Sequence, residues 1–442
     1  MNSFLITRLN ILLTPPLATI HKFFVRCFLT GGLAGLLFGC SVVNVDDHPV
    51  PASHRVQEAV DNVRTGLEKS LGIPVPSINV YVQTPTQTYF ASSVPAGRQP
   101  LTPNTFFRFA SLTKNFTASA IMKMHQDGWL DYKAVITDLI PGTNQPYVPA
   151  TPDWNIPNKN RITIRQLLQH SAGVIDVDND TIPELGDGYV NYQLMRDSTH
   201  QFTAEEMLKL IIDGKTRTPS YFDPGKDLYH YSNTGYFMLS RIIERVYSLK
   251  AGQAKTYADY LYDHITGPAT KVPLPIRFPY QSSDVQLPEP NAASTTLWPL
   301  GRIDLFGRLN MSGHVGEGNG YSTMAALNTY VRSMMRGENA LQPQIIKLMQ
   351  TDVTKGKEGN NMGNEQYGLG TNFRQNLGYG HAGAIAGYLT HMAYDPATDV
   401  SIVAMLPLID WRGGNASINA CIGALVDAAY GARAALGYPG KP

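Results

Sequence analysis

The chain alternates between stretches of helical and of strand periodicity. From His54 to Ser70, apolar side chains recur at Val56, Ala59, Val60, Val63 and Leu67, one face of a 3.6-residue repeat, and predict an amphipathic helix. Ser77-Ile-Asn-Val-Tyr-Val-Gln83 and Thr88-Tyr-Phe-Ala91 read as strands joined by a short turn containing proline. Leu112 to Gln126 reads as a helix stopped by Asp127-Gly128. A second helix is predicted over Ala204 to Asp213, opened by Thr203 with Glu206 three residues on and closed by Gly214. A third runs from Thr234 to Tyr247, with Phe237, Ile242, Ile243 and Val246 facing inward. Gly387 to Tyr394, the turn Asp395-Pro396, and Val400 to Leu406 predict an antiparallel hairpin, and Ser417 to Leu436 a terminal helix.

Strands near both ends with helices between them predict an α/β (α+β) fold. Its antiparallel sheet is built from both termini and flanked by helices, and a mostly helical domain is inserted. The expected boundaries are 54–118 and 300–442 for the α/β domain and 119–299 for the helical insertion. With 442 residues, 43 % apolar and 16 % charged, the chain has ample material for a core, so disorder is excluded as its dominant state. The 36 basic and 35 acidic side chains leave a net charge of +1, without the basic footprint of a nucleic-acid binder, and no nucleic-acid partner is expected. Three cysteines cannot build a disulfide scaffold, and Cys421, in an apolar helical stretch, reads as a small core residue.

The first 45 residues differ in composition. Arg8, Lys22 and Arg26 precede an apolar run from Cys27 to Gly39, and no Asp or Glu occurs before Asp46. These 13 residues suit a signal-peptide core and are too few to span a bilayer. Leu37-Phe38-Gly39-Cys40 resembles the bacterial lipobox, in which cleavage precedes a cysteine that receives lipid. The expectation is a signal peptide over 1–39, lipidation at Cys40, a tether over 40–53, and a lipoprotein of the bacterial cell envelope facing the periplasm or exterior.

Several chemistries have no support. There is no His-Glu-x-x-His and no Cys/His cluster, so no metal site is expected; a Walker loop and a Gly-x-Ser-x-Gly elbow are also absent. The informative segment is Phe107-Arg-Phe-Ala-Ser111-Leu-Thr-Lys114, the chain's one Ser-x-x-Lys. On a helix these side chains share a face. A seryl hydroxyl needs an adjacent base, and lysine serves only if burial or neighbouring cations lower its pKa. A serine at a helix start also sits beside free backbone N–H groups able to hold a developing oxyanion.

Two further elements follow in order. Tyr231-Ser-Asn233-Thr-Gly-Tyr supplies Tyr-x-Asn at a helix entrance, and Gly380-His381-Ala-Gly383 precedes the hairpin. Together the three motifs resemble the serine penicillin-recognising enzymes, the β-lactamase/transpeptidase-like family. The nearest branch is that of class C β-lactamases, D-alanyl-D-alanine carboxypeptidases and related esterases. Leu167-Leu-Gln-His-Ser-Ala-Gly173 and Gly320-Tyr-Ser-Thr323 are similar to other recurring elements of that family. By letters alone, Tyr189-Val-Asn191 rivals the second motif, and His314-Val-Gly316 and Lys357-Glu-Gly359 rival the third.

The resemblance implies acyl transfer with Ser111 as nucleophile and Lys114 and Tyr231 sharing the proton work, the first base being left open. It implies that Asn233 holds Lys114 and donates to the substrate, that His381 and Gly383 line an extended substrate, and that the N–H of Ala384 joins that of Ser111 in an oxyanion hole. No cofactor is required. Histidine in the third motif, where lysine is commonest, resembles the carboxypeptidase and D-aminopeptidase branch. The expected partner is a small-molecule or peptide substrate, such as a peptidoglycan stem peptide or a β-lactam. An esterase of the same family and a non-catalytic peptidoglycan-binding lipoprotein are the alternatives.

Overall fold

The computed structural model describes residues 50–226, 228–303, 305–354 and 366–442. The leader 1–39, Cys40 and Lys357 to Gly359 lie outside the described residues. No helix among the described residues is long and apolar enough to cross a membrane.

A seven-stranded antiparallel sheet dominates the structure. Its order across the sheet is Thr88–Ser93, Ile78–Gln83, Val400–Leu406, Tyr388–Asp395, Gly378–Ile385, Asn372–Arg374 and Gln366–Tyr367. The strand after the first helix thus lies beside one from the far end of the chain, Val80 opposite Ala404. This is the predicted sheet of both termini. The hairpin strands are buried along their whole length because both faces are covered. Ile402, Ala404 and Leu406 face the N- and C-terminal helices, Ala52–Leu71 and Asn415–Ala435, packing with Val56, Val60 and Leu425. Val403 and Met405 alternate to the other face, in a larger core shared with Phe116, Ile121, Leu327 and Val331. Cys421 is a free thiol buried in the first of these cores.

The predicted helices are present with small shifts. The first begins at Ala52, within the expected tether, and ends at Gly72, whose φ of 67° is the left-handed cap that glycine accepts. Ala204–Ile212 opens with the predicted capping box, Thr203 accepting from the Glu206 N–H.

The strand Gly378–Ile385, which bounds the candidate site, is implied by the family resemblance at His381 and Gly383 but not by the periodicity of the sequence. Its run Gly-Tyr-Gly-His-Ala-Gly-Ala has little β-propensity, because two demands are steric. A Cβ on Gly380 would sit 1.8 Å from the Met392 carbonyl oxygen, and one on Gly383 would sit 2.5 Å from that of Phe109. Short strands were missed too. Phe106–Arg108 pairs with Tyr321–Thr323, and the Phe109 N–H donates to the Gly320 carbonyl at 3.0 Å. That pairing carries the loop containing His314 and Glu317 to the turn that holds Ser111.

Candidate active site

Ser111 lies in a short 3₁₀ turn, Ala110–Leu112, that runs into the helix Thr113–Gln126. Ser111 and Lys114, three apart across this junction, share one face. Ala110 has φ 54°, a left-handed conformation costing about 1–2 kcal/mol for a non-glycine residue. The turn is clamped from two sides. Thr390 Oγ1 donates to the Phe109 carbonyl at 2.8 Å, and Thr113 Oγ1 accepts from the Gly320 N–H at 3.0 Å.

The Lys114 ammonium is fully buried, and each of its protons has an acceptor. These are Ser111 Oγ at 3.1 Å, the Glu317 carbonyl at 2.9 Å and Glu317 Oε2 at 3.0 Å. The Tyr231 and Tyr236 rings lie 4.7 and 5.6 Å away, centroid to Nζ. Burial draws the lysine pKa below its ordinary value, and the Glu317 carboxylate acts in the opposite sense. Burial would raise the pKa of Glu317, but Lys114 and His314 outweigh it and hold that group as a carboxylate. Glu317 was not anticipated: a lone acid 203 residues from Lys114 carries no local signal.

Beyond Glu317 the charges continue to alternate. His314 Nδ1 lies 2.6 Å from Glu317 Oε1 and 3.7 Å from Asp178 Oδ2. Burial opposes its protonation, yet the two carboxylates raise its pKa to about 9. His314, the rival by letters, therefore does reach the site, as the partner of Glu317. Asp178, His314 and Glu317 each offer a metal-ligand atom within 4.8 Å of the others, a grouping no local motif announces. Their charges are already matched inside the protein by Lys114 and the imidazolium.

The Tyr231 hydroxyl is hydrogen-bonded to the Ser111 side chain, and burial pushes its pKa well above the ordinary phenol value. Asn233 is the first residue of the helix Asn233–Ala251. The structure departs here from the expected role, because Asn233 is not a partner of Lys114. Its Nδ2 donates to Asp178 Oδ2 at 2.7 Å, its backbone N–H donates to Asp176 Oδ2 at 3.0 Å, and its Oδ1 is buried with no donor. Glu317 provides what the asparagine was expected to provide. The rival Tyr189 lies apart, its hydroxyl bonded to Glu206.

The opposite wall is a chain of neutral groups. The Ser232 N–H donates to His170 Nδ1 at 3.1 Å, so the proton of a neutral His170 sits on Nε2, facing the Tyr367 hydroxyl at 3.2 Å. That hydroxyl lies 3.0 Å from His381 Nε2, while His381 Nδ1 lies 2.5 Å from the Ala382 carbonyl and must carry the proton. Burial first, and Lys114 second, depress the pKa of His381 to about 3 and that of His170 well below its ordinary value. His381 is therefore an uncharged, buried strut with both ring nitrogens committed, and it cannot anchor a carboxylate as a cation.

Gly383 does reach the nucleophile turn. Gly383 passes against Phe109 and Ala110, and pairs with Thr390. The Gly380 carbonyl faces the outer neighbouring strand, accepting from Thr371 Oγ1 at 3.1 Å. Strand alternation turns the N–H groups of Ala382 and Ala384 to that same side, where the outer strand's pairing ends at Gly380. The free edge beside Ser111 can thus offer donors to an oxygen held against the nucleophile.

The Beta-lactamase family model matches residues 68–407, which include every motif described above except the leader. The chain belongs to the β-lactamase family. Penicillin-binding protein 4* of Bacillus subtilis is 29 % identical over 172 residues, covering 39 % of this chain and 31 % of that protein. A putative fimbrial assembly protein FimD of Dichelobacter nodosus is 28 % identical over 151 residues, covering 34 % of this chain and 32 % of that protein. The chain thus spans about a third of the length of these curated relatives. Among solved structures, a D-stereospecific amidohydrolase from Streptomyces sp. superposes with TM-score 0.62 at 20 % identity, over 84 % of this chain and 98 % of that one. D-amino acid amidase from Ochrobactrum anthropi SV3 gives 0.60 with the same identity and coverage. Both likenesses establish the fold, which is the mixed architecture expected of the family.

Proposed function

We propose that the protein is a serine hydrolase that cleaves an amide through an acyl-enzyme on Ser111. The observation that carries the reading is the placement of Lys114 Nζ 3.1 Å from Ser111 Oγ with its other protons on Glu317, and of Tyr231 on the same hydroxyl. Because Lys114 donates to Ser111 Oγ, the serine's own proton is left to Tyr231. A phenol whose pKa is raised by burial is a poor resting phenolate, so Tyr231 serves best as a shuttle. As Oγ bonds to the carbonyl carbon, the serine proton passes to the Tyr231 oxygen while the phenol's own proton moves in the same step to the substrate nitrogen, so that the phenol never holds two protons and the C–N bond breaks with its nitrogen protonated. Water reverses the sequence and frees the acid. The ammonium of Lys114 steadies the negative charge that builds on Oγ, and the N–H groups of Ser111 and Ala384 take the oxyanion.

Ser111, Lys114 and Tyr231 are the proposed catalytic residues, with Asn233, His381, Gly383 and Ala384 shaping the substrate cleft. A D-alanyl-D-alanine carboxypeptidase would need a cation for the substrate's terminal carboxylate. The committed, neutral ring of His381 favours amide or aminopeptidase-type substrates over that reading. A panel of D-alanyl peptides, D-amino acid amides, nitrocefin and p-nitrophenyl esters tests the proposal. Amide hydrolysis lost in Ser111→Ala is expected; ester turnover without amide turnover would move the protein to the esterase branch. The apolar run ending at Cys40 supports a further proposal, that the enzyme is a lipid-anchored envelope protein. Cys40→Ser should then abolish lipid incorporation.

A further inference from the structure

A small three-stranded sheet has no part in the chemistry above. Leu408–Asp410 pairs in parallel with Thr295–Trp298, which turns through Pro299 and Leu300 into the edge strand Gly301–Ile303. The base of this hairpin is fixed to the rest of the fold. The Trp411 N–H donates to the Leu297 carbonyl at 2.7 Å. Arg412 binds the Asp410 carboxylate at 2.7 and 3.0 Å and donates to the Leu71 carbonyl at 3.3 Å. The tip, by contrast, is bare. Leu300 is fully exposed, Ile303 is 42 % exposed, and all three residues of the edge strand lie open. A Cβ on Gly301 would meet nothing within 4 Å.

A single exposed leucine is ordinary on a protein surface, but these side chains are grouped. Trp298 lies opposite Gly301, so Ile303, two residues on, shares its face. Trp298 also stacks on Trp411, with ring centroids 6.0 Å apart and planes at 17°. Leu297, on the other face, packs against the core beneath the terminal helices, whereas half-buried Trp298 belongs to neither core. Arg302, between Leu300 and Ile303, is exposed and has no carboxylate partner among the described residues. An apolar tip, a tryptophan behind it and an unpaired arginine beside it match the layers of a membrane interface, from acyl chain to headgroup phosphate.

We propose that the tip of the hairpin Thr295–Ile303 inserts into the headgroup–acyl boundary of a phospholipid bilayer, Leu300 leading, with Arg302 on the headgroup phosphates. A second copy of the chain fits the surface less well. A three-residue edge and a two-residue tip offer far less than the about 800 Å² per partner of a stable dimer. The reach also suits a bilayer. The hairpin's base touches Leu71, and the 20-residue helix Ala52–Leu71 puts its other end about 30 Å away. The eleven residues from Ser41 to Pro51 extend up to about 36 Å, so lipid on Cys40 can enter the same bilayer surface as Leu300. The inference rests on the lipid-anchor proposal for what brings the bilayer within reach.

Depth-dependent quenching tests it. The full chain carrying Leu300→Trp or Val50→Trp is reconstituted into phosphatidylglycerol vesicles with and without brominated acyl chains. Both positions are exposed, so neither substitution disturbs packing, and Val50 lies at the far end of the first helix, nearer the anchor along the chain. Leu300→Trp should add fluorescence that brominated lipid removes, with its maximum at shorter wavelength than that added by Val50→Trp. Equal loss at the two positions, or greater loss at 50, would mean that the anchor alone sets the proximity and would overturn the proposal. A dimer in sedimentation that Leu300→Asp dissociates would give the surface to a second copy and overturn it as well. Intact mass of the same sample reports lipid on Cys40. Quenching at 300 without that lipid supports the hairpin and counts against the anchor alone; lipid without quenching at 300 counts against the hairpin alone.

Discussion

On one side of Ser111, Lys114, Glu317, His314 and Asp178 form a chain of alternating charges; on the other, His170, Tyr367 and His381 form a chain of neutral hydrogen bonds. Both walls are buried and both contain histidine, yet the histidines are driven in opposite directions. His314 faces two carboxylates and is held protonated, while His381 faces a phenol and a carbonyl and is held neutral. Burial alone would neutralise both; the partner decides the outcome. The charged wall can assist proton transfer, and the neutral wall can only hold geometry.

The largest expected effect comes from removing a member of the charged wall. Lys114→Ala should lower kcat/KM for the best amide by about 10³-fold, within the range for removing a group that stabilises developing charge. Tyr367→Phe, which breaks the neutral chain without altering charge, should cost less than about 10-fold by the same kinetic measurement. Similar losses in the two variants would erase the division of labour.

The opposed histidines give opposed pH windows for stability. His314 has its pKa raised to about 9 in the fold, so its contribution is fully present below about 6.5 and is lost as pH rises through 9. His381 is depressed to about 3, so its contribution is fully present above about 6.5 and is lost as pH falls toward 3. The first is worth on the order of 3 kcal/mol and the second on the order of 5 kcal/mol. Urea midpoints measured across pH should show His314→Gln flattening the alkaline limb and His381→Gln flattening the acid limb. The same limb flattening in both variants would contradict the assignment.

A smaller effect concerns the clamp between the strand Tyr388–Asp395, next to that of His381, and the nucleophile turn. Thr390→Val removes the 2.8 Å bond to the Phe109 carbonyl and should lower stability by about 1 kcal/mol in urea unfolding. No change would mean that the left-handed Ala110 is held by the Gly320 contact alone.

What could be read from the sequence was what lies close together along it. Ser111 with Lys114, and Tyr231 with Asn233, are local pairs whose spacing carries meaning before any fold is known. The sheet was also legible, because Val400 to Leu406 is apolar on both faces. Glu317 was not, since it is a lone acid that becomes significant only when the Phe106–Arg108 and Tyr321–Thr323 pairing closes its loop, and Asp178, one of three alternating acids, becomes significant only when Asn233 holds it beside His314. His381 could be located by its motif, but its charge state depends on Tyr367 and on burial, neither of which its neighbours in the chain reveal. The strand that carries it is hidden by the glycines that close packing demands at 380 and 383.

The central claim is that Ser111 is the acylated residue, and direct labelling tests it most simply. After incubation with a fluorophosphonate, tryptic mapping should find one adduct mass on the peptide Phe109–Lys114, and none in a folded Ser111→Ala protein. An adduct on another residue, or labelling that persists in Ser111→Ala, would contradict the account.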